Sequence, residues 1–323
     1  MRAIPMLRAA MFLVAALNAP AALADAYPSK PIRIVVPFGA GGIADFTVRT
    51  VAQKMGEALG QPMVIENRPS AGGVIATQAV AKAEPDGYTL LLMSNGNAVS
   101  VGLFKSLPFD TVKDLAPIST LGFFDLVVIT RADSRFKSLR ELLSFAREQP
   151  GKLNIGTINI GSTQNLAGEL FKTRAGIDAQ VVPFGGTPAL VSALLGGSVD
   201  AAVEILGPVM PQVSGKAVRV LAVMGPKRRE SMPDVPTVME SGIADFSVAS
   251  WNALAAPART PSEIVARLNK EINAALASAD VKARLAELGV EARGGTPAEA
   301  RELLASEIRR WSDVITKAGI ERQ

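Results

Sequence analysis

The residues best placed to do chemistry lie in three glycine-rich stretches, VVPFGAGGIADF (35–46), GTINIGSTQN (156–165) and VPFGGTPAL (182–190). Each reads as a strand, a turn and the start of a helix. The first N–H groups of a helix have no partner within it and sit at the positive end of its dipole, so such turns receive anions. Two chemistries are open for the first turn. Gly39, Gly41 and Ala44 satisfy the relaxed G-x-G-x-x-G/A spacing that grips a dinucleotide pyrophosphate, and Glu66 closes the next apolar run, where an acid would bind the adenosine ribose. The alternative is that the same open N–H groups receive a small carboxylate. The dinucleotide pattern is imperfect, because Pro37 and Phe38 separate the strand from the first glycine and Pro37 supplies no N–H. Asp45 falls in the first helical turn, where it complements the helix dipole; facing a cleft, it would accept from a ligand amine or a water.

In the second stretch, Gly161, Ser162 and Thr163 place backbone N–H groups and two hydroxyls at a helix start. That combination holds a carboxylate without a cationic side chain, although a hydroxyl here is also an ordinary helix cap. The third stretch repeats the pattern with Gly185 and Gly186. Three such turns converging on one cleft would form a carboxylate trap.

Composition removes most alternatives. The 323-residue chain has no histidine and no cysteine, so it has no imidazole base, thiol nucleophile, disulfide or thiolate metal site. No metal or other cofactor is expected. Walker, G-x-S-x-G, H-E-x-x-H and EF-hand sequences are absent, and SRFK (134–137) matches S-x-x-K without its companion elements. The N-terminus carries Arg2 and Arg8, then the apolar AAMFLVAALNAPAALA ending in Ala22-Leu23-Ala24, the pattern of an export signal cleaved near Ala24. Removing residues 1–24 leaves 32 basic against 30 acidic residues, which is no footprint for nucleic acid. Lys227-Arg228-Arg229 reads as an exposed turn, and Trp251 and Trp311 as core or cleft-lining aromatics.

The elements that must position these turns alternate along the chain. Strands are predicted at 32–36, 63–66, 88–93, 126–130, 153–157, 199–205 and 218–224, and helices at 42–59, 73–83, 138–149, 164–175, 187–196, 261–278 and 297–318. Ser138 with Glu141 makes a capping box, and Thr260-Pro261 and Thr296-Pro297 read as capped starts with proline at the first helical position. The alternation indicates an α/β fold of two lobes, with mixed sheets flanked by helices. The stretches 123–131 and 246–257 suit two crossings between lobes. Residues 25–125 plus 250–323 would then form lobe one and 126–249 lobe two, with a ligand cleft between them.

The segments YPSKPIRIVVPFGAGGIAD, GQPMVIENRPSAGG, AEPDGYTLLL, PFDTVKDLAPIS, NLAGELF, MPDVPTVMESG and W-x-x-V-I-x-x-A-G-I resemble, in order and over nearly all of 27–320, the Bug family of extracytoplasmic solute receptors of tripartite tricarboxylate transporters. The resemblance implies a type II periplasmic binding protein, monomeric and non-enzymatic, that captures a small carboxylate and passes it to the membrane subunits of the transporter. It implies lobe-one contacts at Phe38, Gly41, Gly42, Asp45, Ser94 and Asn95, and lobe-two contacts at Gly161, Ser162, Thr163 and Gly185-Gly186. Asn165 stands where the family often has histidine, VPFGG lacks the family's basic residue and phenol, and Glu204 replaces a common polar pair. These three departures fall near the cleft. With Phe184 they favour a monocarboxylate, or an acid carrying an amine, over a tricarboxylate.

Overall fold

The computed structural model describes residues 27–323; the export signal expected at 1–24 lies outside the described residues. In chain order the elements are β1 (Ile32–Val36), α1 (Ile43–Leu59), β2 (Met63–Asn67), α2 (Val74–Ala81), β3 (Thr89–Ser94), α3 (Asn95–Leu103) and β4 (Leu115–Arg131). Next come α4 (Leu139–Glu148), β5 (Leu153–Ile158), α5 (Thr163–Ala175), β6 (Ala179–Phe184), α6 (Thr187–Leu195), β7 (Ala201–Ile205), α7 (Leu206–Ser214) and β8 (Val218–Val223). The chain ends with β9 (Ala249–Pro257), α8 (Ser262–Ala277), α9 (Ala279–Glu287), β10 (Val290–Ala292) and α10 (Pro297–Lys317).

The first lobe is organised on β2-β1-β3, which are parallel, followed by antiparallel β9. In β1 only Arg33 escapes full burial, as expected for a strand covered on both faces. The second lobe pairs β6, β5 and β7 in parallel, with β4 antiparallel to β7 and β8. Strand β4 belongs to both lobes: Leu115–Asp125 pairs with β9, and Leu126–Arg131 pairs with β7 and β8. The change of partner falls between Asp125 and Leu126, so one unbroken strand makes the first crossing. Asp125 is ion-paired there to Arg229, which turns inward from the basic stretch that the sequence suggests is wholly exposed. Arg228 instead stays at the surface, paired with Glu240.

Packing explains the helices. In α4, Leu139, Leu142, Leu143 and Ala146 are buried, the i, i+3, i+4, i+7 stripe of a helix laid on a sheet. Ser138 Oγ caps the Glu141 N–H, but the Glu141 carboxylate reaches back to the Lys137 N–H and not to Ser138, so the box is incomplete. Thr296 and Glu299 close both bonds of theirs. The Thr260 cap expected for α8 does not form: Pro261 is the cap residue, the helix begins at Ser262, and the Thr260 hydroxyl is buried without a partner among the described residues. Elements absent from the sequence reading are α3, α7, α9 and β10; β6 is read only as the strand end that opens VPFGG, β4 begins well before the predicted 126–130, and β9 is a sheet strand where only a crossing is expected. Helix α7 carries Pro208 in its first turn and Pro211 inside, which hides its pattern. One apolar core, including Leu126, Val128, Phe171 and Trp311, runs through both lobes.

Candidate ligand-binding site between the lobes

The turn after β1 exposes Phe38, Gly41 and Gly42, and α1 starts at Ile43 with Gly42 as an N-cap that offers no side chain. Gly41 has φ 85°, a left-handed conformation that glycine adopts without strain. Its N–H donates to Asp45 Oδ2 at 3.0 Å, and Arg49 Nε donates to the same oxygen at 2.9 Å. Asn67 Nδ2 donates to Asp45 Oδ1 at 2.9 Å and to the Phe38 carbonyl at 3.0 Å. Asp45 is 2% exposed. Burial opposes its ionisation, yet the bonds from Arg49, Gly41 and Asn67 together outweigh that and hold the carboxyl below its usual range. Asp45 and the Gly41 N–H are therefore committed to each other and shape the turn from within. Among the described residues, no partner is found for the N–H groups of Gly42, Ile43 and Ala44, which remain for an anion. Glu66, the acid that the dinucleotide reading would assign to a ribose, is instead held first by Arg68 and then by Arg33, which keep its carboxyl low against the effect of burial.

The turn after β5 repeats this device with a neutral side chain. Gly161, at φ 78°, donates its N–H to Asn165 Oδ1 at 3.1 Å, four residues on, as Gly41 does to Asp45. Asn165 Nδ2 reaches Thr157 Oγ1, which fixes the amide. Ser162 is consumed as a cap: its hydroxyl donates to the Ile158 carbonyl and accepts from the Asn165 N–H. Thr163 and Gln164, at the first two positions of α5, keep N–H groups with no partner among the described residues.

In the turn after β6, Gly186 (φ 141°) precedes α6 with no side-chain cap, and Gly185 is exposed. Glu204 lies behind this turn. The side chain is fully buried and accepts from Gln164 Nε2 at 2.6 Å, from Thr187 Oγ1 at 2.8 Å and from the Ile205 N–H at 2.7 Å. Burial pushes its carboxyl above the ordinary value despite those three donors. Glu204 thus lashes the first turns of α5 and α6 together and presents no surface of its own. Gln164 and Thr187 are site residues that the sequence reading missed; the visible signal was the hydroxyl directly after the Gly185-Gly186 pair.

The lobes meet at these turns. Ser94 caps α3 by accepting from the Gly96 N–H, with Asn97 closing the box, so Ser94 is spent inside its lobe. The next residue, Asn95, donates from Nδ2 to Thr163 Oγ1 at 2.8 Å, from α3 of the first lobe to the start of α5 in the second. Its Oδ1 accepts from Trp311 Nε1 at 2.8 Å, and the same indole N–H also lies 2.8 Å from Glu307 Oε2. Trp311, on α10, carries no sequence signal for this role. A Cβ on Gly161 would come within 2.4 Å of Leu103 Cδ2, and one on Gly207 within 2.9 Å of Ile43 Cδ1. The start of α7 therefore packs on the start of α1, while α5 and α3 touch. The second and third glycine turns are tied together through Glu204, the second meets α3, and the helix after the first packs on the start of α7; most of their side chains are occupied in these contacts, and what is left to offer a ligand is main-chain N–H, two threonine hydroxyls and the apolar Phe38.

Two α/β lobes joined by shared long strands, with helix starts facing one another between them, define the two-lobed periplasmic binding protein class. Residues 47–320 match the family described as "Tripartite tricarboxylate transporter family receptor", and the chain belongs to that family. It is 38% identical over 298 residues to Protein BugT of Bordetella pertussis, covering 92% of this chain and 91% of that one. Among solved structures it is similar to R. palustris Rpa4515 with adipate, at TM-score 0.81 and 33% identity over 92% of this chain and 100% of that one. It is also similar to MatC from Rhodopseudomonas palustris with bound malate, at TM-score 0.75 and 34% identity over 90% of this chain and 100% of that one.

Proposed function

We propose that this protein is a periplasmic receptor that captures a small carboxylate between its lobes and delivers it to the membrane subunits of a tripartite tricarboxylate-type transporter. The observation that carries the reading is the set of N–H groups without a partner among the described residues at the starts of α1 and α5 and the uncapped start of α6, the α5 start being joined to the first lobe by the Asn95–Thr163 bond. Oriented backbone dipoles of this kind hold an anion without a cationic side chain. The adipate and malate in the two similar structures are carboxylates, which supports the same ligand class here. The signal-like N-terminus supports export, with cleavage near Ala24; a monomer as the working unit is carried over from the family resemblance alone. We place the lobe boundaries at 25–125 with 250–323 and at 126–249, in keeping with the exchange of partners along β4. Phe38, Gly42, Thr163, Gly185 and Gly186 then contact the ligand, and Gly41, Asp45, Ser94, Asn95, Gly161, Ser162, Asn165 and Glu204 hold the contacting groups in place.

A thermal-shift screen of mono-, di- and tricarboxylates tests this reading. Ligand at 100 times its dissociation constant stabilises a protein by about 2.7 kcal/mol, a shift of several degrees for a chain of this size. Stabilisation by carboxylates and not by the matching amides or alcohols is expected. A protein indifferent to all of them, or one carrying nicotinamide absorbance, would refute carboxylate capture.

A further inference from the structure

We infer that Glu204 determines which carboxylates this receptor accepts: by accepting the hydrogen bond that Thr187 donates, it leaves the Thr187 oxygen only an acceptor toward the ligand, selecting a carboxylate that carries a hydroxyl or amine over a dicarboxylate. The inference rests on the carboxylate-capture reading and assigns the second end of the ligand.

Hydrogen-bond polarity around the junction is fixed by groups with one possible role. Trp311 Nε1 can only donate, so Asn95 must turn its oxygen to Trp311 and its Nδ2 to Thr163. Thr163 Oγ1 accepts there, which leaves its proton free to donate to a ligand oxygen. That end of the junction, with the adjoining N–H groups of Thr163 and Gln164, suits a carboxylate. Thr187 has the opposite polarity. Gln164 Nε2 and the Ile205 N–H can only donate, and both go to Glu204 Oε1. Glu204 Oε2 faces the Thr187 hydroxyl. With Glu204 ionised, the carboxylate has no proton to give, so the half-buried Thr187 must donate, and its oxygen keeps only acceptor capacity for any further partner.

No charged side chain offsets this arrangement. Val127 of β4 lies opposite Glu204 in the sheet, Gln164 and Thr187 reach it from α5 and α6, and Ile205 and Leu206 lead into α7. Among the described residues Glu204 has no ion-pair partner. A second ligand carboxylate at Thr187 would meet lone pairs in front of a buried anion. A hydroxyl or ammonium there would instead donate to Thr187.

The test compares matched pairs at pH 8 by calorimetry: malonate to adipate against the ω-hydroxy acids of the same chain lengths, and terephthalate against 4-hydroxybenzoate. The wild-type protein should prefer the hydroxy acid at least tenfold in one or more pairs. In Glu204→Gln the amide oxygen keeps the bonds from Gln164 and Ile205, while its NH2 donates to Thr187 and releases the threonine proton toward the ligand. The preference should then narrow tenfold or reverse. Thr187→Val, which leaves Glu204 in place, should abolish it if Glu204→Gln does not fold. The same ratio in wild type and both variants, or a wild-type preference for dicarboxylates, would overturn the assignment. Binding of none of these acids would overturn carboxylate capture itself.

Discussion

The Asn95 amide nitrogen and the Thr163 hydroxyl oxygen stand 2.8 Å apart, with Asn95 on the first lobe and Thr163 on the second. The bond is a clasp between helices whose starts form opposite walls of the candidate site. Its geometry depends on a third element, since Trp311 of α10 orients the amide from behind. Asn95 is 1% exposed and Trp311 fully buried, so the clasp is protected from competing water. Closure of a two-lobed receptor follows from a ligand's higher affinity for the shut form, and bonds of this kind set how far the shut form is favoured beforehand.

Asn95→Ala removes the clasp while leaving Trp311 its bond to Glu307. A buried neutral hydrogen bond contributes about 1 kcal/mol net, so ligand affinity should fall roughly fivefold with only a small loss of stability. Calorimetric titration with the carboxylate identified in the thermal screen measures it. Unaltered affinity would mean that the clasp does not favour the shut form.

Gly161→Ala places a methyl where Leu103 Cδ2 stands and asks a substituted residue to hold φ 78°. The left-handed conformation costs about 1 kcal/mol and the contact adds to it. Because Leu103 belongs to the opposite lobe, the contact penalty should fall mainly on the shut form. Affinity should drop at least tenfold, with a smaller change in Tm.

Asp45→Asn leaves Gly41, Arg49 and Asn67 with one acceptor oxygen in place of a carboxylate. Bonds to a buried charge are worth about 2 kcal/mol, so Tm should fall by several degrees even without ligand. The folded carboxyl titrates below its unfolded value, so its contribution is present above the unfolded pKa and disappears as pH falls through the lowered folded pKa. The wild-type advantage over Asp45→Asn should therefore vanish in acid. Chemical denaturation as a function of pH checks the sign.

Glu204→Gln should behave in the opposite way. Burial raises the folded carboxyl, so the native chain holds more protons than the unfolded one just above the ordinary glutamate value. Stability due to Glu204 falls as pH rises through that window. Glu307 is also raised, chiefly by burial against the pull of Arg310 and Trp311, but it is common to both proteins and cancels in their difference. The stability of Glu204→Gln relative to wild type should rise with pH across the window and level off above it. A flat difference would show that Glu204 titrates as it does in the unfolded chain.

Much of the site was written in local patterns. Short apolar runs and period-3.6 stripes gave β1, β5, α1, α4, α5 and α10 close to their observed bounds, because each is a short-range consequence of the faces an element buries. The three glycine turns were equally visible, since a left-handed residue before a helix start is a local requirement met by Gly41 and Gly161. Helix α3 escaped notice because NGNAVSVGL has few good helix formers and is held by packing on α10, and α7 because Pro208 and Pro211 mask the Leu206, Val209, Met210, Val213 stripe that packs on β4.

By itself the sequence determined the alternation of strand and helix, the absence of imidazole and thiol chemistry, and the places where main-chain N–H groups are offered to an anion. Those are properties of neighbours along the chain. Only the tertiary structure decided which of those groups remain free. Gly41 is spent on Asp45 and Gly161 on Asn165, Glu204 faces Thr187 and Gln164 instead of the cleft, and Asn95 is turned by a tryptophan 216 residues away. A side chain's donor or acceptor role is fixed by what it meets across space, and no spacing along the chain encodes that meeting.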